Sequence, residues 1–250
     1  MNSEFNERMF EFCYNCRLIN LLEDMKYKTL PPYSPTQRLE ARLGFDTMMQ
    51  IITNRFDCIL VLQHKVSEYE ETKKSSRKTS LPAPFFRFKI AGRKYSKQHD
   101  LLLELENTQF STCYCAPMFV KNTQLTQTFQ DRTILNSAIC ISPGKIGRFP
   151  NDANHHYCFT PDASKTEVRS EQSAAEPYRD IKEVIQCAKR KPITLEFLQS
   201  SANHLREVFA ESEVKFKPYR ARETNPLDEL DYYIRRVIKA DWLIFKSPGR

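Results

Sequence analysis

Four residues in the first third of the chain, Glu40, Asp46, Gln63 and Lys65, have types and spacing suited to work on a phosphate. In a strand the side chains alternate. Over residues 58–66, therefore, Ile59, Val61, Gln63 and Lys65 share one face, and Leu60, Leu62, His64 and Val66 share the other. An amide oxygen and an ammonium then point the same way. Glu40 falls one turn before the end of an expected helix and Asp46 just after the Gly44-Phe45 turn, so both converge on that strand if the elements pack in chain order. Mg²⁺ prefers hard oxygen ligands, commonly one or two carboxylates together with waters and substrate phosphate. Asp46, Glu40 and the Gln63 carbonyl supply such a set. Lys65 supplies a compact charge that can approach a phosphate, orient the attacking water and stabilise the charge that develops on the phosphate. That chemistry is phosphodiester hydrolysis. The plainer alternative is a solvated helix carboxylate, a turn aspartate and the polar face of a strand. A second candidate acid, Asp57, ranks below Asp46 because it lies about 20 Å from Gln63 along the same strand.

The elements that must position these residues are partly written in their punctuation. Ser34 is placed as an N-cap, Pro35 takes the first helical position, Gln37 completes a capping box and Gly44 sits where a left-handed C-cap belongs. Strands are expected at 45–52 and 58–66, the second an Ile/Leu/Val run of the kind covered on both faces. Residues 68–84 are polar, charged and end in proline, and are expected to form a surface loop. A strand at 85–90, a leucine-rich helix at 96–107 capped by Ser96, and short strands at 112–120, 134–141 and 156–159 follow. Residues 1–30 fit a strand or a helix equally well. This order predicts an α/β fold with a central mixed β-sheet flanked by helices over residues 1–160, then a linker or irregular excursion over 161–176. A helical C-terminal region over 177–250 completes the division, with helices at 177–189, 194–212 and 227–245. There is no internal repeat.

The chain has 250 residues, 40% of them hydrophobic, with 17 Phe and 11 Tyr, which is a folding composition. No apolar run of membrane-spanning length occurs, and residues 1–7 lack the basic and apolar regions of an export signal, so a soluble cytoplasmic protein is expected. In that setting the eight cysteines read mainly as reduced core residues. Cys13-x-x-Cys16 with Cys113-x-Cys115 is the arrangement that could bind zinc, and His155-His156 is a weaker ligand pair, but core packing is favoured for the cysteines and a plain strand-edge position for the histidines. The net charge is +7, and its distribution is uneven: Lys73, Lys74, Arg77, Lys78, Arg87, Lys89, Arg93, Lys94 and Lys97 fall in one window with no Asp or Glu. Interleaved with Phe85, Phe86, Phe88 and Tyr95, this window suits a nucleic-acid-binding surface that neutralises phosphates and stacks a base; an ordinary basic loop over a core strand is the alternative. With five glycines there is no G-x-G-x-x-G, no Walker A loop and no G-x-S-x-G elbow, so nucleotide-binding and serine-hydrolase classes find no support. The 142–148 segment, rich in Gly and basic residues, is a turn that could touch phosphate.

Glu40, then Leu43-Gly44-Phe45-Asp46, then Leu62-Gln63-His64-Lys65, then a helix opening with Gln98-His99, resembles the PD-(D/E)xK nuclease superfamily, and within it the Mrr-like branch with a Q-x-K motif. The resemblance covers residues 34–120. It implies a restriction-endonuclease-like core, a Mg²⁺ (or Mn²⁺) cofactor held by Asp46, Gln63 and Glu40, and hydrolysis of DNA in a restriction-like or anti-phage defence role. A sensor or ATPase partner, or a homo-oligomer, fits the same resemblance. The competing expectation is a catalytically inactive subunit that uses the same core to bind nucleic acid or protein.

Overall fold

The computed structural model describes residues 1–25, 27–29, 47–52, 57–72, 79–96, 98–107, 110–168, 175–187, 200 and 203–204. The expected helix over residues 34–44, the helix at 227–245 and most of that at 194–212 lie outside them.

The open question at the N-terminus resolves as a helix, α1 (Glu7–Asp24), whose first turn is closed by Asn6 accepting from the Met9 amide at 2.9 Å. Phe10, Tyr14, Leu18 and Leu22, four residues apart, are fully buried and form the stripe by which α1 lies on a sheet. That sheet has five strands: β1 (Lys28–Thr29), β2 (Thr47–Ile52), β3 (Asp57–His64), β6 (Ser111–Pro117) and β7 (Ala138–Ile141), adjacent in the order β1-β2-β3-β6-β7. It is mixed. β2 and β3 form an antiparallel hairpin, β3 and β6 run parallel, and β6 and β7 are antiparallel. The parallel pair needs a crossover, and α2 (Gln98–Asn107), buried through Leu102, Leu103 and Leu105, is part of it. A second, antiparallel sheet consists of β4 (Glu68–Glu70), β5 (Phe85–Ile90), β8 (His155–Phe159) and β9 (Thr166–Val168) in the order β4-β5-β8-β9.

The alternation along β3 divides the core in two. Leu60 and Leu62 join Cys113, Cys115 and the α1 stripe on one side, whereas Val61 joins Tyr114, Leu102, Leu105 and the inward side chains of the second sheet, Phe86, Phe88, Tyr157 and Phe159, on the other. The protein is thus a mixed α/β structure with two sheets and helices. Strands expected at 85–90 and 156–159 leave the central sheet for this second one, a separation that strand patterning alone does not reveal.

Several expected boundaries move for identifiable reasons. The expected loop at 68–84 begins with β4, because Glu68 lies opposite Arg87 and pairs with it, so charged residues on one face make a strand here. The expected strand at 134–141 shortens to β7, since 133–137 close a turn through amides of Asn136 and Ser137 bonded to Thr133 O at 2.9 and 3.0 Å. A polar helix, α3 (Asn122–Gln130), stands where none was expected; Gln124 Oε1 accepts from the Lys121 amide at 3.1 Å, and Leu125 is its buried anchor. The four-residue α4 (Pro143–Ile146) occupies the expected turn. β9 falls within residues 161–176, and α5 (Ile181–Cys187) packs Ile181, Val184 and Ile185 into the α1 side of the core.

One close approach fixes the link between β5 and α2. A Cβ on Gly92 would lie 2.1 Å from both Asp152 O and Ala153 O, backbone atoms with no freedom to rotate aside. Gly92→Ala is expected to destabilise by about 1–3 kcal/mol. Thermal denaturation followed by circular dichroism would show the midpoint falling by about 2–4 °C per kcal/mol; an unchanged midpoint would remove this constraint.

Candidate active site

At the C-terminal end of β3 the chain places Gln63 and Lys65 beside the first residue of α2. Gln63 is fully buried, with its Nε2 donating to His64 O at 3.0 Å and its Oε1 accepting from Gln98 Nε2 at 2.7 Å. Lys65 Nζ donates to Gln98 Oε1 at 2.8 Å. One amide therefore bridges the two residues of the Q-x-K motif. Gln98 uses its donor toward Gln63 and its acceptor toward Lys65, which leaves each group in one orientation. The Lys65 backbone N–H continues the parallel ladder to Cys115 O at 2.9 Å, and Ser96 Oγ accepts from the Gln98 amide at 3.1 Å, so both ends of the bridge are held by backbone.

The helix carrying Gln98 is itself locked. His99 Nε2 lies 2.7 Å from Gly147 O, a carbonyl that can only accept, so that nitrogen carries the proton. Nδ1 then accepts from the Tyr114 hydroxyl at 3.0 Å, and Tyr114 pairs in register with Gln63. Burial pushes the His99 pKa down and favours this neutral, single-tautomer form, against the opposing pull of its bond to Gly147. The sequence singled out Gln98-His99 as a helix opening; the bridging amide and the His99–Tyr114 link were missed, because no local spacing joins α2 to β3 and β6.

Between the two motif residues, His64 points to the opposite face. Its ring meets Phe10 and Tyr14 edge-on, with centroids 5.8 and 5.6 Å away. Burial, and next the Lys65 charge, push its pKa down to about 3.

Glu40 and Asp46 lie outside the described residues. Thr47, which follows Asp46 in the chain, pairs with Leu62, which precedes Gln63. Asp57 pairs with Ile52 at the far end of the hairpin, six residues of strand before Gln63, about 20 Å away. Among the described residues no group of three His, Cys, Asp or Glu side chains is placed to hold a metal ion. Cys113 and Cys115 are buried toward α1, with Cys115 Sγ 3.8 Å from Cys140 Sγ, and both are free thiols, as are Cys13, Cys16, Cys140, Cys158 and Cys187. His155 is stacked on Phe149 at 3.6 Å inside the core. In the 142–148 segment, Ser142 Oγ and the Gly144 amide both donate to the Glu106 carboxylate, at 2.6 and 2.7 Å, so an internal acid already caps that turn.

Of the nine basic residues in the 73–97 window, Lys73, Lys74, Arg77, Lys78 and Lys97 lie outside the described residues. Lys89 and Lys94 are exposed. Arg93 pairs with Asp100 at 2.9 Å, at the start of α2. Arg87 is only 12% exposed and is neutralised within the second sheet by Glu68 and Glu70, so it is turned away from any phosphate. No helix among the described residues is long and apolar enough to cross a membrane.

No protein-family model matches the chain, and neither a curated protein nor a solved structure matches it.

Proposed function

We propose that the protein is a Mg²⁺-dependent endonuclease that hydrolyses DNA phosphodiester bonds, a PD-(D/E)xK enzyme of restriction-like or anti-phage type. The observation that carries this is the Gln63–Gln98–Lys65 bridge at the C-terminal end of β3. Support also comes from the central sheet: the β2–β3 hairpin is followed, after β4 and β5 of the second sheet, by α2 and by β6 parallel to β3, so the crossover returns the chain beside the Gln63 strand. The helical region at 177–250 belongs to the same proposal.

Gln63, Asp46 and Glu40 would together offer oxygen donors of the kind a hard divalent cation takes. Gln63 presents its oxygen, rather than its nitrogen, toward the Gln98 and Lys65 side, and Asp46 and Glu40 would add the carboxylates. When bound, Mg²⁺ supplies Lewis-acid polarisation of the phosphate and lowers the pKa of a water. The chain's own residues do the rest. Lys65 Nζ, held at 2.8 Å from Gln98 Oε1, stands as a fixed cation beside the motif amide, where it orients a water and meets the extra charge on the phosphate. Lys89 and Lys94, with the lysines and Arg77 of the same window, attract the backbone.

Incubation of purified protein with supercoiled plasmid is expected to give nicked or linear product with Mg²⁺ or Mn²⁺ and none with EDTA. Asp46→Ala is expected to abolish cleavage and to weaken Mn²⁺ binding in a calorimetric titration. Cleavage in EDTA, or wild-type metal affinity in the variant, would remove the proposed centre.

A further inference from the structure

Resting on the nuclease reading, we infer that Tyr95 is the substrate-positioning residue of the site, a platform on which an unpaired DNA base stacks within a few nucleotides of the scissile phosphate.

Tyr95 is 65% exposed. The other large apolar side chains with comparable exposure among the described residues, Met1, Met9 and Phe12, belong to the N-terminal segment and α1. Among the described residues its side chain has no hydrogen bond and no ring contact. Its backbone is nevertheless firmly built. The Tyr95 and Ser96 amides both donate to Gly92 O, at 2.8 and 3.0 Å, and the Gly92 amide donates to Asn154 Oδ1 at 3.2 Å. The same Gly92 is pinned against the carbonyls of Asp152 and Ala153. On the other side, Ser96 caps Gln98, and Arg93 reaches over the turn to Asp100. An exposed ring on a braced turn loses little freedom when it binds.

Placement gives the ring its role. Tyr95 precedes Gln98 by three residues, a chain reach of at most about 10 Å, and Gln98 touches both Gln63 and Lys65. The side chains of Tyr95, Gln98 and Lys65 add to that separation, so the ring stands within a few nucleotides of the phosphate Lys65 would hold. Exposed Lys94 precedes Tyr95 in the chain, and exposed Lys89 lies on the preceding strand, a combination of aromatic and cations of the kind that single strands exploit. In an intact duplex only a terminal pair offers a free base face, so the substrate class is DNA with a single-stranded, frayed or flipped segment at the cut.

The test separates stacking from catalysis. In EDTA, where the proposed chemistry is off, wild-type protein is titrated with a single-stranded oligonucleotide carrying 2-aminopurine and with a blunt duplex of the same sequence. Wild type is expected to quench the fluorophore. Tyr95→Ala is expected to bind the single strand about 5- to 150-fold more weakly, the range for one stacked base, with much less effect on the duplex, and Tyr95→Phe to restore both affinity and quench. Equal affinity of wild type and Tyr95→Ala for the single strand, or equal losses on both DNAs, would overturn the stacking role while leaving Mg²⁺-dependent plasmid cleavage standing. Absence of both DNA binding and cleavage in wild type would overturn the nuclease reading and the platform with it.

Discussion

Lys65→Ala is expected to lower the single-turnover rate of DNA cleavage by about 10²- to 10³-fold, the loss typical of removing one preorganised group from a developing negative charge. The fold should survive the change. Lys65 lies just beyond β3, its contribution to the parallel ladder is a backbone N–H bonded to Cys115 O, and alanine keeps that donor. What disappears is the ammonium that Gln98 Oε1 holds at 2.8 Å. Lys65→Arg should not rescue the rate, because a planar fork cannot occupy the position of a point charge bonded to one amide oxygen. Gln98→Ala should fall between, since it frees Lys65 and Gln63 without deleting either. Rates measured at saturating Mg²⁺, with thermal midpoints recorded alongside, check all three. Wild-type rates in Lys65→Ala, or full rescue by arginine, would exclude Lys65 from the chemistry.

How much of this could be read from the chain depends on where the information sits. The face-sharing of Gln63 and Lys65 follows from a period of two, and β3 bears it out: Val61 faces one half of the core while Leu60 and Leu62 face the other. β5 and α2 also fall within two residues of their expected bounds, because alternation in one and leucine spacing in the other are local signals. Non-local facts stayed hidden. That β5 and β8 leave the central sheet is decided by which apolar faces meet across the core, and that Arg87 is spent on Glu68 and Glu70 is decided by a register set nineteen residues away. The basic window looked uniform in sequence, yet its one strand-buried arginine serves the fold. Gln98 shows the same limit from the other side: it is thirty-three residues from Lys65, so only the crossover brings the amide to the motif.

His64 is expected to make the protein markedly acid-sensitive. An ordinary histidine titrates near 6.5, whereas burial and the Lys65 charge hold His64 near about 3, so in this window the unfolded chain binds a proton that the native state refuses. The sign follows. Stability contributed by keeping His64 neutral is fully present above pH 6.5 and is lost progressively as pH falls toward 3. At about 1.36 kcal/mol per pH unit the loss reaches about 3 kcal/mol by pH 4 and about 5 kcal/mol at its limit, a large part of the 5–15 kcal/mol that holds a typical domain together. His99, also pushed down by burial, adds to the slope in the same direction. Replacing His64 with phenylalanine keeps an aromatic edge toward Phe10 and Tyr14 and removes the titration; His64→Gln removes it with a polar side chain. Urea denaturation at pH 7 and pH 4 should show wild type losing about 3 kcal/mol more than either variant across that interval, even if the variants start lower at pH 7. Parallel losses in all three proteins would mean that His64 is not the proton acceptor on unfolding. Because His64 follows Gln63 and precedes Lys65 at the end of β3, the same protonation that loosens its packing against α1 releases the opposite face, and the candidate site should be lost together with the fold rather than before it.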